Sequence, residues 1–267
     1  MTIQTLTQNS RNAEPAGAAE SMAQPLNHPS KGGLRAARPR RATLGSRRTF
    51  SGLIGALFLL GFVTYGVGFG LVTSIIGTPD FLSTLPAHHI TLVLGAFLML
   101  LNSAVDVGKA VLIYPILEKH GQRGSLAYFA TMIFEVVLLA VGALCLLMLI
   151  PLAQQSIDTG MASAGWIKAL GALAIQSNTM AYQIAQMSLG FGCLFLCALL
   201  FQTRLIPRPL ALWGLIGYTI HMAGAIAEIF GIHISLILLI PAGLFELALG
   251  FWLIFKGFQP EAYGPLC

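Results

Sequence analysis

Asp106, Lys109, Glu135, His221, Glu228 and Glu246 stand inside long apolar runs of a 267-residue chain. A charged side chain near a bilayer centre costs on the order of 3 kcal/mol on insertion scales, so such groups face a protein interior or a wet cavity. The chemistry open to them there is proton exchange, cation binding or mutual neutralisation. Asn102, Asp106 and Lys109 are spaced four and three residues apart, which puts all three on one helix face. Tyr218, His221, Ala225 and Glu228 recur at similar intervals and can form a second polar stripe.

Two readings of this set stay open. In the structural one, Lys109 neutralises Asp106 or Glu135, and the remaining carboxyls are protonated or hydrogen-bonded. In the functional one, Glu135 and Glu246 exchange a proton or hold a cationic solute, with His221 as a relay. A metal site built from Asp106, Glu135, His221 and Glu246 would offer hard and borderline ligands, but the paired Glu-x-x-His helices of di-iron proteins are absent. No metal and no cofactor are assigned. Cys193 and Cys197 share a helix face without a nearby His or carboxylate, which reads as small-residue packing. His88 and His89 read as interfacial residues, with His233 in a tight turn. No Gly-x-Ser-x-Gly elbow, His-Glu-x-x-His helix, nucleotide loop or Cys-x-x-Cys pair is present, so no catalytic residue is assigned.

The elements that position these residues follow from hydropathy. Hydrophobic residues make up 56% of the chain, charged residues only 9%, and the mean hydropathy is +0.78. A soluble domain carries about 25% charged residues, so this is an all-α polytopic membrane protein. Six spans are expected at 52–75, 90–115, 124–150, 179–202, 209–231 and 234–256, each able to supply the roughly 20 residues that a bilayer core requires. At about 1.5 Å per residue, Asp106, Glu135, His221 and Glu246 each come within roughly 5 Å of the midplane. Four helices thus offer polar groups at similar depth, with Glu228 nearer the outer surface.

Basic residues fix the expected orientation. Arg11, Lys31, Arg35, Arg38, Arg40, Arg41, Arg47, Arg48, Lys119, Arg123, Arg204, Arg208 and Lys256 all fall on one side of such a bundle and only Lys168 on the other. The positive-inside rule then puts both termini in the cytoplasm. Residues 1–50 are expected to be a disordered basic tail, 51–258 the membrane domain and 259–267 a short cytoplasmic tail. The net charge of +5 is concentrated in that first tail, which favours anionic lipid over nucleic acid as its partner. Arg47 and Arg48 resemble a twin-arginine signal, but the run that follows leads into further spans without a small-residue cleavage site, so an uncleaved, arginine-anchored first helix is expected. The connection 151–178 has Trp166, Ile167, Leu170, Leu173 and Ala174 at helical spacing, which fits a short surface helix or an ordered loop over the bundle. The glycines of span one (Gly52, Gly55, Gly61, Gly66, Gly68 and Gly70) suggest close helix packing, and Pro241 suggests a kink near Glu246.

Three blocks resemble a known family. They are the basic, proline-containing start of span five (Arg204, Leu205, Ile206, Pro207, Arg208, with Leu210 to Leu212 and Gly214 to Gly217), the end of span six (Glu246, Leu247, Leu249, Gly250, Trp252, Leu253, Lys256, Gly257, Phe258), and more weakly Tyr114, Pro115 and Leu117 followed by Ala127, Tyr128 and Glu135. Over about residues 48 to 258 the chain resembles the bacterial integral-membrane family called domain of unknown function 4386. The resemblance implies six helices in a bacterial cytoplasmic membrane and brings no activity with it. That family often carries an arginine three positions before the span-three glutamate, where this chain has Met132; Lys109 is the candidate replacement.

The function expected from these features is a small transporter or channel-like protein for a solute or proton. The alternatives are a membrane scaffold or partner subunit with structural ion pairs and, more distantly, a lipid-active enzyme.

Overall fold

The computed structural model describes residues 44–78, 80–159 and 164–260. Most of the expected N-terminal tail and residues 261–267 lie outside them. Seven helices follow in order: α1 (Leu44–Ile76), α2 (Phe81–Leu117), α3 (Gln122–Leu147), α4 (Leu149–Thr159), α5 (Ala164–Thr203), α6 (Arg208–Ile229) and α7 (Ser235–Phe255). Six stretches are long and apolar enough to cross a membrane, with α4 continuing the third beyond a turn at Met148. The chain is thus an all-α polytopic membrane protein. α1 begins at Leu44, within the stretch expected as the basic tail.

The helices form a closed ring in the order α1, α2, α3, α5, α6, α7 and back to α1. In lipid, helix association is driven by packing rather than by exclusion of water, so close backbone approach is needed at the seams. Glycine supplies it on more than one face of α1. A Cβ on Gly55 would sit 2.5 Å from the Gly250 carbonyl oxygen of α7, and one on Gly68 would sit 2.8 Å from the Gly95 oxygen of α2. A third glycine, Gly61, faces Asn102 and Lys109, whereas Gly52, Gly66 and Gly70 touch nothing. At the α5 to α6 seam a Cβ on Gly214 would lie 2.6 Å from Cys197 Sγ. Cys193 and Cys197 are buried in the apolar cluster there, as small packing residues.

The termini-bearing end of the bundle is tied together by backbone groups. Gln259 N–H donates to the Leu205 carbonyl, Phe258 N–H to Ser51 Oγ and the Arg48 guanidinium to the Phe255 carbonyl. Arg48, Lys119, Arg123, Arg204, Arg208 and Lys256 all lie at this end, here called the basic end.

Two elements differ from the sequence reading. α2 begins at Phe81 and bends at His88, which has non-helical torsions of φ −117° and ψ 15° two residues after Pro86. Proline removes a helical N–H and clashes with the preceding turn, so the segment before residue 90 is helix set at an angle. The connection after span three is neither a separate surface helix nor a loop over residues 166–174: these open α5, a single helix reaching Thr203. Ile167 is fully buried against Leu82, Leu85, Leu146, Leu149 and Ala153. Gly171 lets Phe81 approach, and Lys168 lies 3.7 Å from Asp80. Pro241 is accommodated within a continuous α7.

Candidate intramembrane site

The ring encloses a cavity of about 570 Å³. Toward the basic end its lining stops at Phe58 on α1, Lys109 on α2, Glu135 on α3, Leu189 on α5, His221 on α6 and Glu246 on α7. Below that level Ile54, Ala110, Ile113, Tyr128, Leu196, Leu249 and Leu253 close the bundle with apolar packing. In the other direction the lining runs up to Ile76, the last residue of α1, and Ser235, the first of α7. The cavity therefore has a polar floor near mid-bundle, apolar packing on the basic side and a lining that reaches the opposite end, with Phe62, Gly66, Phe69 and Leu236 of that lining exposed.

Six residues singled out by sequence meet at this floor: Asn102, Asp106, Lys109, Glu135, His221 and Glu246 all line the cavity. On α2 the four- and three-residue spacing does what helical geometry requires. Asn102 Nδ2 donates to Asp106 Oδ2 at 2.7 Å, and Lys109 Nζ pairs with Asp106 Oδ1 at 2.5 Å. Thr64 Oγ1 on α1 donates to Asn102 Oδ1 at 3.4 Å, and Lys109 Nζ stands 4.8 Å from the centroid of the Phe58 ring. A side chain at position 61 would press on this chain, its Cβ falling 3.2 Å from Asn102 Oδ1.

The other carboxylates are held differently. Tyr218 Oη donates to Glu246 Oε1 at 2.5 Å, linking α6 to α7. Glu135 is 3% exposed, yet its Oε2 has no hydrogen-bond partner. Lys109 thus serves Asp106 by direct contact, and it reaches Glu135 and Glu246 only through the longer-range electrostatic field. His221 Nε2 lies 2.9 Å from Gln186 Oε1, an oxygen that only accepts. With the Gln186 amide turned this way, Nε2 is the protonated nitrogen, and His221 Nδ1, buried and unpartnered, is left to accept.

Glu228 is not part of this set. It lies at the end of α6 outside the cavity lining, 2.7 Å from His233 Nδ1, and accepts from the Ser235 N–H at 3.3 Å. The expected stripe from Tyr218 to Glu228 accordingly splits, with Tyr218 turned to Glu246, His221 to Gln186 and Glu228 to the α6–α7 turn. His89 Nδ1 lies 3.0 Å from the Pro86 carbonyl. Among the described residues no three of His, Cys, Asp or Glu come together so as to hold a metal ion.

The α5 contribution was missed from sequence. Asn178, Tyr182, Gln183, Gln186 and Leu189 all line the cavity. Their spacing of four, one, three and three residues in an apolar run is a helical polar face, a signal overlooked beside the charged residues. Gln183 is 4% exposed; its Nε2 donates to Ser235 Oγ at 3.2 Å and its Oε1 is unpartnered. Tyr182 stacks on Tyr65 with ring centroids 5.7 Å apart, and Tyr65 stacks in turn on Phe69 at 6.2 Å. Because α1 and α5 are not neighbours in the ring, the tyrosine pair crosses the cavity one turn above its floor.

A closed ring of six membrane-spanning helices around a polar-floored cavity defines a multi-pass membrane protein with an intramembrane cavity. A family model described as domain of unknown function (DUF4386) matches residues 53–257, and the chain belongs to that family. No curated protein and no solved structure matches the chain.

Proposed function

We propose that the protein is a small-solute transporter of the bacterial cytoplasmic membrane, with both termini in the cytoplasm and a binding site reached from the outer side. One observation carries this reading: the cavity runs from Ile76 and Ser235 down to Glu135 and Glu246, then ends against apolar packing. An open pore would continue through the basic end, and a purely structural set of ion pairs would need no such cavity. A site open to one side and shut on the other is what alternating access requires of one of its states. The positive-inside rule puts the basic end in the cytoplasm, so the mouth faces outward. Glu135 and Glu246 are the groups that take up a proton or a cation, and the Asp106–Lys109 pair is the fixed wall beside them.

The test is proton movement in vesicles that hold the purified protein and an entrapped pH-sensitive dye, driven by a potassium diffusion potential. Transport predicts a protein-dependent change of internal pH that Glu135→Gln and Glu246→Gln abolish while both variants stay folded. A membrane scaffold predicts no dye response and a lowered Tm for the same substitutions.

A further inference from the structure

We infer that the cavity binds a protonated primary amine carrying an apolar body, its ammonium group accepted by Glu135 Oε2, Gln183 Oε1 and His221 Nδ1. This names the substrate class for the site proposed above and rests on that reading. Of the buried polar atoms without a hydrogen-bond partner among the described residues, three belong to side chains that line the cavity, and they are these three. Each can accept: the Glu135 carboxyl oxygen in its ionised form, the amide oxygen of a glutamine whose nitrogen already serves Ser235, and the imidazole nitrogen left bare by the bond to Gln186. A buried acceptor without a donor costs about 1 to 3 kcal/mol, so a site with three of them is matched to a ligand rich in donors.

The three stand on adjoining turns of neighbouring helices. Ser188 Oγ donates to the Thr131 carbonyl, and Gly142 meets Asn178, which sets the antiparallel register of α3 against α5. Glu135, one turn beyond Thr131, therefore comes beside the turn of α5 that carries Gln183 and Gln186, and His221 is bonded to Gln186. A primary ammonium has three N–H donors on one atom.

Charge selects a cation as well. The lining holds the carboxyls of Asp106, Glu135 and Glu246 against one lysine, which is already committed to Asp106 and the Phe58 face. An anion would find no free donor of opposite charge, and among the described residues no three His, Cys, Asp or Glu side chains cluster as a metal ion would require. The walls above the floor are Phe62, Tyr65, Phe69, Tyr182, Leu236 and Leu239. They suit a hydrocarbon or aromatic body, and aromatic faces also attract a cation.

The experiment is calorimetric titration of the full chain in phosphatidylcholine nanodiscs at pH 7 with three probes of one shape: phenethylamine, its alcohol 2-phenylethanol, and phenethyltrimethylammonium. The amine is expected to bind, with the alcohol and the trimethylated cation each roughly ten- to hundredfold weaker, since one lacks the charge and the other the donors. Glu135→Gln and Gln183→Leu are expected to weaken the amine and leave the alcohol unchanged; should either fail to fold, the probe series on the natural chain decides alone. Equal binding of all three probes, or no amine binding above empty nanodiscs, overturns the inference. A retained dye response without amine binding removes the substrate class alone, whereas loss of both removes the transport reading with it.

Discussion

Lys109 Nζ lies 2.5 Å from Asp106 Oδ1 one turn back on α2, and so the one lysine among the described lining residues is bonded to the carboxylate of its own helix rather than to Glu135 on α3. Removing one partner of a buried pair strands the other, at a cost of about 3 to 5 kcal/mol. Lys109→Met is expected to destabilise the protein by that amount in thermal unfolding, and the double change Asp106→Asn with Lys109→Met to recover most of it. Glu135→Gln is expected to leave Tm nearly unchanged, because no direct contact is lost. A Glu135→Gln loss as large as that of Lys109→Met would make Glu135 part of a structural ion pair.

The cavity is expected to react from one side only. Single cysteines at Thr73 and Leu239, on the walls near the mouth, should react with a membrane-impermeant thiol reagent added from outside the cell. The natural Cys193 and Cys197, buried in the apolar cluster at the basic end, should stay unmodified from either face in the folded protein. Mass spectrometry of the labelled protein checks both.

At the α1–α7 seam, Gly55 has no room for a side chain: its Cβ would meet the Gly250 oxygen at 2.5 Å and an Ile254 side-chain carbon at 2.9 Å. Gly55→Val is expected to cost about 1 to 3 kcal/mol through overpacking. Gly52→Val, at a position that touches nothing, is expected to be close to neutral, and thermal unfolding of the two variants makes the comparison.

Glu228 is a control for the site. Its contacts are to His233 and the Ser235 N–H at the α6–α7 turn, outside the cavity. Glu228→Gln should leave vesicle proton movement and amine binding unchanged, and His233→Ala should behave alike. A loss of either activity in these variants would extend the site to the turn.

Apolar run length and the rule that buried charge must be compensated made much of this legible. Six runs gave six spans, and the depth of Asp106, Glu135, His221 and Glu246 could be counted from the span centres. Depth is a one-dimensional property and sequence supplies it. Whether Glu135 faces Lys109 depends on rotation about two helix axes, and the answer lies in seams set by Gly55, Gly68 and Gly214, whose partners on other helices no spacing reveals. The start of α5 was misjudged because Gly171, Gln176, Ser177 and Asn178 dilute its apolar signal. Of these, Asn178 lines the cavity and packs at Gly142 and Gly171 is buried at Phe81, whereas Gln176 stays exposed. Glu228 was grouped with His221 by spacing alone, and the turn after Ile229 drew it away to His233.

The central claim is that Glu135 is a protonatable carboxyl at the floor of a cavity reached from one side of the membrane. Labelling intact vesicles with a water-soluble carbodiimide across a pH series, followed by peptide mapping of Asp106, Glu135, Glu228 and Glu246, tests it directly. The account predicts modification at Glu135 that depends on pH and is suppressed by phenethylamine, with Asp106 protected by Lys109. Silence at both Glu135 and Glu246 throughout the series would contradict it and leave a sealed, structural polar core.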